Sequence, residues 1–330
     1  MRAALVTSIE PGSQCRIADL APPETPPGSV LVDVEAVALN FMDTLITRGR
    51  YQIKPELPFS PGAEIAGRVS EVGRDVDRSW IGKRVAGYVG FGGARERVVV
   101  EPERLSTIPD SVAAEVAAGV SVTYGTAMYG LKTRARVAPG DVIAVLGAAG
   151  GAGLAAVEVA KRLGAAVIAV ASTHEKLAIA KAHGADEGIV CDAGASTLKD
   201  DLRAATSGAP TVIYDCIGGY AAQAALRALR PGGRFLVIGF ASGDIPQLPA
   251  NIVMLKDCDV LGINWGGWAS GSPAVQRALV DDVLGWIAAG ALTPHVHAVR
   301  PLDEINAAID DLRERRVSGK IVLQVARRSL

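Results

Sequence analysis

This chain of 330 residues has little of what nucleic-acid-binding and membrane proteins rely on. Aromatic residues make up 5% of it, which leaves few flat side chains on which bases could stack. Its 34 basic and 35 acidic residues nearly cancel, so no overall positive field attracts a phosphate backbone or an anionic membrane. Glycine, proline or charged residues interrupt the longest apolar stretches before the roughly 18 residues that a membrane-spanning helix needs. Nucleic acid and membranes are therefore not expected as partners.

Cysteine is also scarce, with four residues in the whole chain. They are scattered with no short spacing between them, which is typical of reduced thiols rather than of a disulfide framework. The first residues carry one positive charge and a short β-like apolar run, without the long apolar segment or small-residue cleavage site of a secretory signal. The sequence therefore predicts a cytoplasmic protein.

Hydrophobic residues, in contrast, make up 49% of the chain, and glycine is abundant at 37 residues. This length and apolar content favour two domains, or one large α/β domain, over one small module. In the first part of the chain, residues 30–37 and 64–72 alternate between apolar and polar side chains, which predicts half-buried strands. Clusters of proline and glycine surround them, so we expect a compact barrel-like fold of short strands there.

From about residue 140 the pattern changes to a regular alternation of strands and helices, which predicts a parallel sheet covered by helices. A doubly wound, six-stranded parallel sheet of this kind is typical of Rossmann domains, which bind dinucleotides. The predicted strands are residues 142–146, 166–170, 188–190, 211–215, 234–239 and 259–263.

A glycine-rich stretch, residues 147–153, lies between the first of these strands and a helix. Glycines there let the backbone approach a pyrophosphate, and the helix N-terminus offers free N–H groups. In the pattern G-x-G-x-x-G the first glycine is replaced by Ala148, while Gly150 and Gly153 fill the other two places. The alternative is a merely tight turn between strand and helix. The residues we expect to contact the cofactor are Gly147, Ala148, Gly150, Gly151, Ala152 and Gly153.

The end of the next strand distinguishes NAD from NADP, because a carboxylate there would repel a 2′-phosphate. The strand ends without an acid, and Ser172, Thr173 and Lys176 can bind a phosphate, which favours NADPH. In the alternative, Ser172 or Thr173 caps the following helix and Lys176 is a solvated surface charge. Glu175, if it faced the pocket, would weaken the prediction.

Several segments carry a resemblance that runs nearly end to end. They include NFMDTLITRGRY (40–51), LPFSPGAEIAG (57–67), VTYGTAMY (122–129), YDCIGG (214–219) and GKIVL (319–323). In these segments the chain is similar to the zinc-free quinone oxidoreductases, the zeta-crystallin-like branch of the medium-chain dehydrogenase/reductase superfamily. This resemblance implies a GroES-like β-barrel catalytic domain over residues 1–123, completed by 292–330, and a Rossmann NADP-binding domain over 124–291, with the substrate and nicotinamide in the cleft.

Comparison with the zinc-dependent branches predicts that this chain holds no metal. They have a metal-binding Cys where this chain has Asn40, and a His-Glu pair where it has Ala63-Glu64. The four-cysteine structural zinc lobe is absent as well. Without a Lewis acid, ordinary alcohols and ketones are poor substrates, so we expect quinones and α,β-unsaturated carbonyls, which delocalise the incoming charge themselves.

Two catalytic residues follow from the resemblance. Asn40 would lie beside the nicotinamide and the substrate, where its amide can bond a ribose hydroxyl or a developing oxyanion; alternatively it caps a loop. Tyr51 matches the second of two tyrosines that line the quinone site, and can donate a proton, stack on a ring or simply pack. Leu45 replaces the first tyrosine, which argues against a two-tyrosine mechanism. The proton would then come from water or from Tyr51 alone.

The resemblance also extends the cofactor site. Thr126 would contact the nicotinamide carboxamide, or else cap a helix. Cys191 replaces a tyrosine that is common at the 2′-phosphate, so NADPH preference would rest on Ser172, Lys176 and Lys320. The residues expected to border the nicotinamide through backbone groups are Gly239, Phe240, Ile263 and Trp265.

The resemblance finally bears on assembly and function. The tryptophans at 265 and 268 follow the strand whose edge commonly pairs across a two-fold axis in this superfamily, which favours a homodimer over a rigid cleft wall. The predicted function is NADPH-dependent reduction of quinones or activated alkenes. Alternatives are an enoyl-thioester reductase and a non-catalytic protein that binds NADPH or RNA.

Overall fold

The computed structural model describes residues 1–191 and 196–325. Its contacts divide the chain into two units. The first unit comprises Met1–Val122 together with the chain from Gly266 onward, and the second comprises Thr123–Trp265.

The described residues form strands and helices in the following chain order. The strands are β1 (Arg2–Leu5), β2 (Arg16–Asp19), β3 (Val30–Leu39), β4 (Glu64–Val72), β5 (Arg84–Tyr88), β6 (Arg97–Val100), β7 (Leu105–Thr107), β8 (Val142–Leu146), β9 (Ala166–Ala171), β10 (Glu187–Val190), β11 (Val212–Asp215), β12 (Arg234–Val237), β13 (Asp259–Gly262), β14 (Val296–Pro301) and β15 (Lys320–Gln324). The α-helices are α1 (Phe41–Ile46), α2 (Ala114–Ala117), α3 (Val120–Ala127), α4 (Gly151–Arg162), α5 (His174–Ala182), α6 (Leu198–Ala204), α7 (Gly219–Ala228), α8 (Ala250–Lys256), α9 (Trp265–Gly271), α10 (Pro273–Ala288) and α11 (Ile305–Arg313). Short 3₁₀ helices cover Arg78–Trp80, Pro102–Arg104 and Leu302–Glu304, and a π-helix covers Met128–Arg134.

The first unit is built around the long strand β3. Its sheet has the order β14-β15-β3-β4-β5-β7, and β6 also pairs with β3. Valine and leucine at most positions of β3 suit a pleated strand that is buried on both faces. Strand β4 lies antiparallel between β3 and β5, so Glu64 pairs with Ala38 on one side and with Tyr88 on the other. The β-rich first domain expected from the sequence is confirmed.

The second unit contains the predicted parallel sheet. Its strand order is β10-β9-β8-β11-β12-β13, and every pair of neighbours is parallel. The chain starts at β8, moves outward to β10 and returns to β11, so the strand order reverses between β8 and β11. Ligands of such sheets bind beyond the carboxyl ends of the strands at this reversal. The six-stranded Rossmann sheet is confirmed, with strand ends within two residues of those predicted.

The family resemblance implied that residues 266–291 belong to the Rossmann domain, whereas the contacts group them with the first unit. Helix α10 packs on β7 and on the 3₁₀ helix Pro102–Arg104. Its buried side chains include Gln276, Val280 and Val283. One face of α10 is therefore buried within the first unit, against β7 and this 3₁₀ helix.

The helices give no sign of a membrane span. In residues 1–191 and 196–325, no helix combines the length and the apolar content that crossing a bilayer requires. The cytoplasmic location stays a prediction.

Candidate cofactor and catalytic sites

The glycine-rich turn of the second unit follows β8 directly. Gly147 has φ +77°, a left-handed conformation that favours glycine. The N–H groups of Gly147 and Ala148 both donate to the carbonyl of Val170, at 2.9 and 3.0 Å, which ties the turn to β9. Gly147, rather than residue 148, therefore supplies the tight turn, and this explains why Ala148 is tolerated in the G-x-G-x-x-G pattern.

Helix α4 begins within the same turn, with Gly150 as its N-cap. A Cβ added at Gly153 would stand 2.1 Å from the carbonyl oxygen of Gly147, so only glycine lets α4 pack this closely. The first bond of the helix runs from the N–H of Leu154 to the carbonyl of Gly150, at 2.8 Å. The N–H groups of residues 151–153 precede that bond and are available to an anion. The turn thus fits a pyrophosphate at the point where the strand order reverses.

The tip of β9 carries no carboxylate. Ser172 and Thr173 are exposed there, and the Thr173 side chain caps α5 by accepting a 3.3 Å bond from the N–H of Lys176. The Thr173 hydroxyl also lowers the pKa of Glu175, so this carboxylate is ionised at neutral pH. The alternative of a capping residue therefore holds for Thr173, while Ser172 and Lys176 stay predicted ligands of a 2′-phosphate.

A second loop, residues 216–218, lies against the glycine-rich turn. A Cβ on Gly147 would meet the side chain of Ile217 at 2.7 Å, and one on Gly218 would meet the ring of Phe240 at 3.1 Å. The structure therefore brings together two predicted cofactor contacts, Gly147 and Phe240, through a loop that the sequence analysis did not assign to the site.

Asp215 at the end of β11 holds this loop. Its Oδ1 accepts bonds from the N–H groups of Ile217 and Gly218, at 2.8 and 2.9 Å. Its Oδ2 is buried and has no partner among the described residues. Burial raises the pKa of the carboxyl group to about 6. The backbone carbonyl of Asp215 also accepts the N–H groups of Ile238 and Gly239, so the predicted contact Gly239 is fixed by the same residue.

The remaining predicted cofactor contacts lie on α3 and beyond β13. Trp265 is 4% exposed, and its indole lies on Gly125, where a Cβ would approach within 2.9 Å. The next residue, Thr126, is buried on the same helix. Ile263 is buried and donates its N–H to the carbonyl of Val237 at 3.1 Å. Trp265 therefore packs on α3 at the residue before Thr126.

The first unit contains a cluster of four buried polar residues, Asn40, Asp43, Glu64 and Lys320, called here the buried polar cluster. The ammonium group of Lys320 donates to the carbonyl of Leu39 at 2.9 Å, to Oδ1 of Asn40 at 2.6 Å and to Oε1 of Glu64 at 2.8 Å. Nδ2 of Asn40 donates to the same Oε1 at 3.0 Å. The catalytic candidate Asn40 is thus held by a buried ion pair.

This arrangement corrects the prediction for Lys320. The sequence assigned it to the 2′-phosphate of NADPH, but its side chain is 7% exposed and its ammonium group donates to three acceptors within the first unit. An ammonium group has three N–H donors, so none is left for a phosphate. The prediction of NADPH preference then depends on Ser172 and Lys176.

Asp43 completes the buried polar cluster from α1. Its Oδ2 accepts the backbone N–H of Asn40, and its Oδ1 accepts that of Gly62, each at 2.8 Å. Burial raises the pKa of Asp43 to about 6. The Asn40 backbone is therefore fixed at the start of α1, as the capping alternative expected, while its side chain belongs to the cluster.

Two tyrosines lie near this cluster. Tyr51 is half-buried and packs on the core of the first unit, and burial raises its pKa. Tyr88 pairs with Glu64 in the sheet, and burial raises its pKa to about 12, with further contributions from Tyr51, Glu64 and Asp43. Both phenols are therefore protonated at neutral pH. The sequence analysis did not single out Tyr88, which ends an ordinary-looking strand.

The described residues do not include a group of three or more His, Cys, Asp or Glu side chains arranged to hold a metal ion.

Comparisons with known proteins agree with this arrangement. Residues 26–110 match the family model of the alcohol dehydrogenase GroES-like domain, and residues 151–280 match the model named zinc-binding dehydrogenase. Quinone oxidoreductase-like protein 2 of Rattus norvegicus is 36% identical over 326 residues, which cover 98% of this chain and 92% of the relative. Quinone oxidoreductase of Pseudomonas aeruginosa is 33% identical over 307 residues, 92% of this chain and 94% of the relative.

A solved structure is also similar over its full length. The crystal structure of Escherichia coli quinone oxidoreductase complexed with NADPH superimposes with a TM-score of 0.89. It is 25% identical, and the match covers 98% of this chain and 100% of that one.

Proposed function

Because the chain belongs to the zinc-free quinone oxidoreductases of the medium-chain dehydrogenase/reductase superfamily, and is an oxidoreductase, we propose that it reduces quinones and activated alkenes with NADPH. The observation that carries this proposal is the glycine-rich turn. A Cβ at Gly147 or Gly153 would collide with neighbouring atoms of the protein, so glycine alone allows this tight turn, which opens on the N-terminus of α4 at the reversal of strand order.

Residues of the second unit would contact the cofactor along its whole length. The turn at 147–153 would take the pyrophosphate, and Ser172 with Lys176 the 2′-phosphate. When bound, NADPH supplies the hydride. The residues proposed for the nicotinamide end are Thr126, Gly239, Phe240, Ile263 and Trp265.

The first unit would act on the acceptor. Asn40 offers an amide held by the buried polar cluster, which suits stabilisation of an oxygen that gains negative charge. The phenol of Tyr51 is protonated at neutral pH, as its usual pKa of about 10 already requires and as the rise in its pKa on burial preserves, so it holds a proton that can complete the reduction. Quinones and α,β-unsaturated carbonyls are the proposed acceptors because they delocalise negative charge without a Lewis acid.

One assay tests both the cofactor and the substrate class. NADPH or NADH is mixed with the purified protein and a naphthoquinone, phenanthrenequinone, a simple enone or crotonyl-CoA, with EDTA present, and cofactor oxidation is followed by absorbance. The proposal expects NADPH oxidation with quinones or the enone. Turnover of crotonyl-CoA alone would favour an enoyl-thioester reductase, and cofactor binding without any turnover would favour a non-catalytic protein.

A homodimer remains part of the proposal. Strand β13 is the edge of the parallel sheet, and its backbone can pair with that of a second copy. The unit also exposes large apolar side chains at more than a third of their surface. They are Tyr220, Ile245, Met254, Leu255 and Val260. A Val260→Lys variant should shift the mass measured by light scattering from dimer to monomer; a wild-type monomer would contradict the dimer.

A further inference from the structure

The ion pair between Lys320 and Glu64 lies in the interior of the first unit, where burying a charge costs free energy. Their side chains are 7% and 0% exposed, and the nitrogen–oxygen distance is 2.8 Å. Removing two charges from water costs free energy that mutual attraction does not reliably return, and apolar replacements are often as stable. Stability alone therefore does not account for the pair. The residues that it contacts indicate its role.

The pair fixes which way the Asn40 amide points. Lysine is only a donor and a carboxylate is only an acceptor. Oδ1 of Asn40 must therefore face the ammonium group, at 2.6 Å, and Nδ2 must face Oε1 of Glu64, at 3.0 Å. A flipped amide would place N–H against N–H and oxygen against carboxylate. The orientation thus follows from the chemistry of the two neighbours.

Both partners are themselves held in place. Oε2 of Glu64 accepts the backbone N–H of Val122 at 2.8 Å, and Lys320 also donates to the carbonyl of Leu39. The Asn40 backbone is fixed by Asp43. The amide therefore cannot turn without breaking several buried hydrogen bonds.

One N–H of the Asn40 amide remains, because Nδ2 carries two hydrogens and a single described bond uses one of them. We propose that Lys320 and Glu64 are positioning residues, which lock Asn40 so that it presents this N–H to the carbonyl oxygen of the quinone or enone as that oxygen becomes negative. The inference rests on the proposed function. It selects the oxyanion over the ribose hydroxyl as the partner of Asn40. The ammonium group also polarises the amide through Oδ1, which strengthens its N–H as a donor.

The test separates binding of the cofactor from the chemical step. Asn40→Asp replaces the donor by an acceptor of the same shape, and the double variant Lys320→Met/Glu64→Gln keeps the interior neutral while it removes the lock. Each is measured for kcat, KM for the quinone, Kd for NADPH by fluorescence titration, and Tm. Lys320→Arg restores a cationic donor, and Lys161→Met removes an exposed lysine paired with Asp186 as a control.

We expect kcat of Asn40→Asp to fall about 100-fold or more, as for loss of one oxyanion donor, with the Kd for NADPH within about threefold of wild type. The double variant should lose at least tenfold in kcat. Lys320→Arg, which keeps a cation beside Glu64, should retain more of the wild-type kcat than the double variant. The control Lys161→Met should match wild type. A loss found only in the NADPH Kd would overturn the inference in favour of the ribose. A lower Tm with unchanged kcat per active site would reduce the pair to a structural role.

A second readout does not depend on turnover. The side-chain amide signals of Asn40 are identified in a ¹⁵N correlation spectrum by their loss in Asn40→Asp. The lock predicts that they shift clearly in Lys320→Met/Glu64→Gln, and unchanged signals would refute it. If the wild-type protein reduces no acceptor, the proposed function fails and the role toward a substrate oxygen fails with it, while these signals still decide whether the pair orients the amide.

Discussion

The packing of α4 on the glycine-rich turn makes a sharp prediction for Gly153→Ala. The new Cβ would stand 2.1 Å from the carbonyl oxygen of Gly147 and 2.8 Å from Cα of Ala148. Both are backbone atoms, so no side-chain rotation relieves the contact. An ordinary contact begins near 3.4 Å, so the start of the helix and the turn must separate by about 1 Å.

Two consequences follow, one for stability and one for binding. Overpacking of this kind costs about 1–3 kcal/mol, which exceeds the gain of roughly 0.5–1 kcal/mol from replacing glycine in a helix. A hydrogen bond to a charged group is worth about 1.5–3 kcal/mol, so misplacing one N–H from the pyrophosphate lowers NADPH affinity about tenfold or more. We therefore expect a lower Tm and weaker NADPH binding together.

The assay combines thermal unfolding with a fluorescence titration of NADPH. Gly285→Ala is the matched control: it lies inside α10 with nothing within 4 Å of its Cβ, and should raise stability by about 0.5–1 kcal/mol without changing binding. In Gly150→Ala the Cβ makes only an ordinary 3.5 Å contact, so a loss of affinity there would report contact with the ligand. Wild-type Tm and NADPH affinity in Gly153→Ala would refute the close-packing argument.

The remaining predictions concern buried carboxylates and the end of β9. Burial raises the pKa of Asp215 to about 6 from its usual 3.8, so the folded protein favours the protonated carboxyl group. The stability that this protonated group contributes is present at low pH and is lost as the pH rises through 6. Above pH 7 the loss in unfolding free energy is about 3 kcal/mol at most. An asparagine at this position keeps both hydrogen bonds, because both end on Oδ1. Asp215→Asn should therefore equal wild type in unfolding free energy near pH 4 and exceed it above pH 6. A difference in unfolding free energy between the two proteins that does not change with pH would contradict this. Asp43 accepts its two hydrogen bonds on separate oxygens, so the asparagine of Asp43→Asn can keep only one of them. Asp43→Asn should therefore be about 1–3 kcal/mol less stable than Asp215→Asn in the same denaturation experiment, and equal stabilities would refute this. Thr173→Ala should lose about 1 kcal/mol as a lost cap, while Ser172→Ala should keep its Tm and lower the ratio of NADPH to NADH affinity about tenfold; an unchanged ratio would remove Ser172 from the phosphate site.

The Rossmann unit could be predicted from the sequence because its signals are local. Each strand is a short apolar run followed by a helical pattern, and the glycine-rich turn stands between the two. The ends of the strands are less clearly marked in the sequence. The fifth strand was predicted to run to residue 239 but ends at Val237, where the regular ladder stops: the N–H groups of residues 238 and 239 share one acceptor, the carbonyl of Asp215 on the neighbouring strand.

The place of α10 could not be predicted in the same way. It follows the sixth strand, and an amphipathic helix there looks like one more covering helix of the parallel sheet. Its periodicity shows that one face is buried, but not against which core. Contacts with β7, which lies about 170 residues earlier in the chain, decide the question.

The buried polar cluster lay furthest beyond the sequence, because its bonds join residues 24, 256 and 280 positions apart. In the sequence, Glu64 stood only where the zinc-dependent branches have a metal ligand, and Lys320 was assigned to the 2′-phosphate. A usable signal was nonetheless present: each begins a strand whose next residues are apolar and buried. A charge at such a position needs an opposite partner, because an unpaired buried charge costs several kcal/mol. An acid and a base that each begin a buried strand of the same unit are therefore candidates for one ion pair, and the side chain between them is the one whose orientation they control.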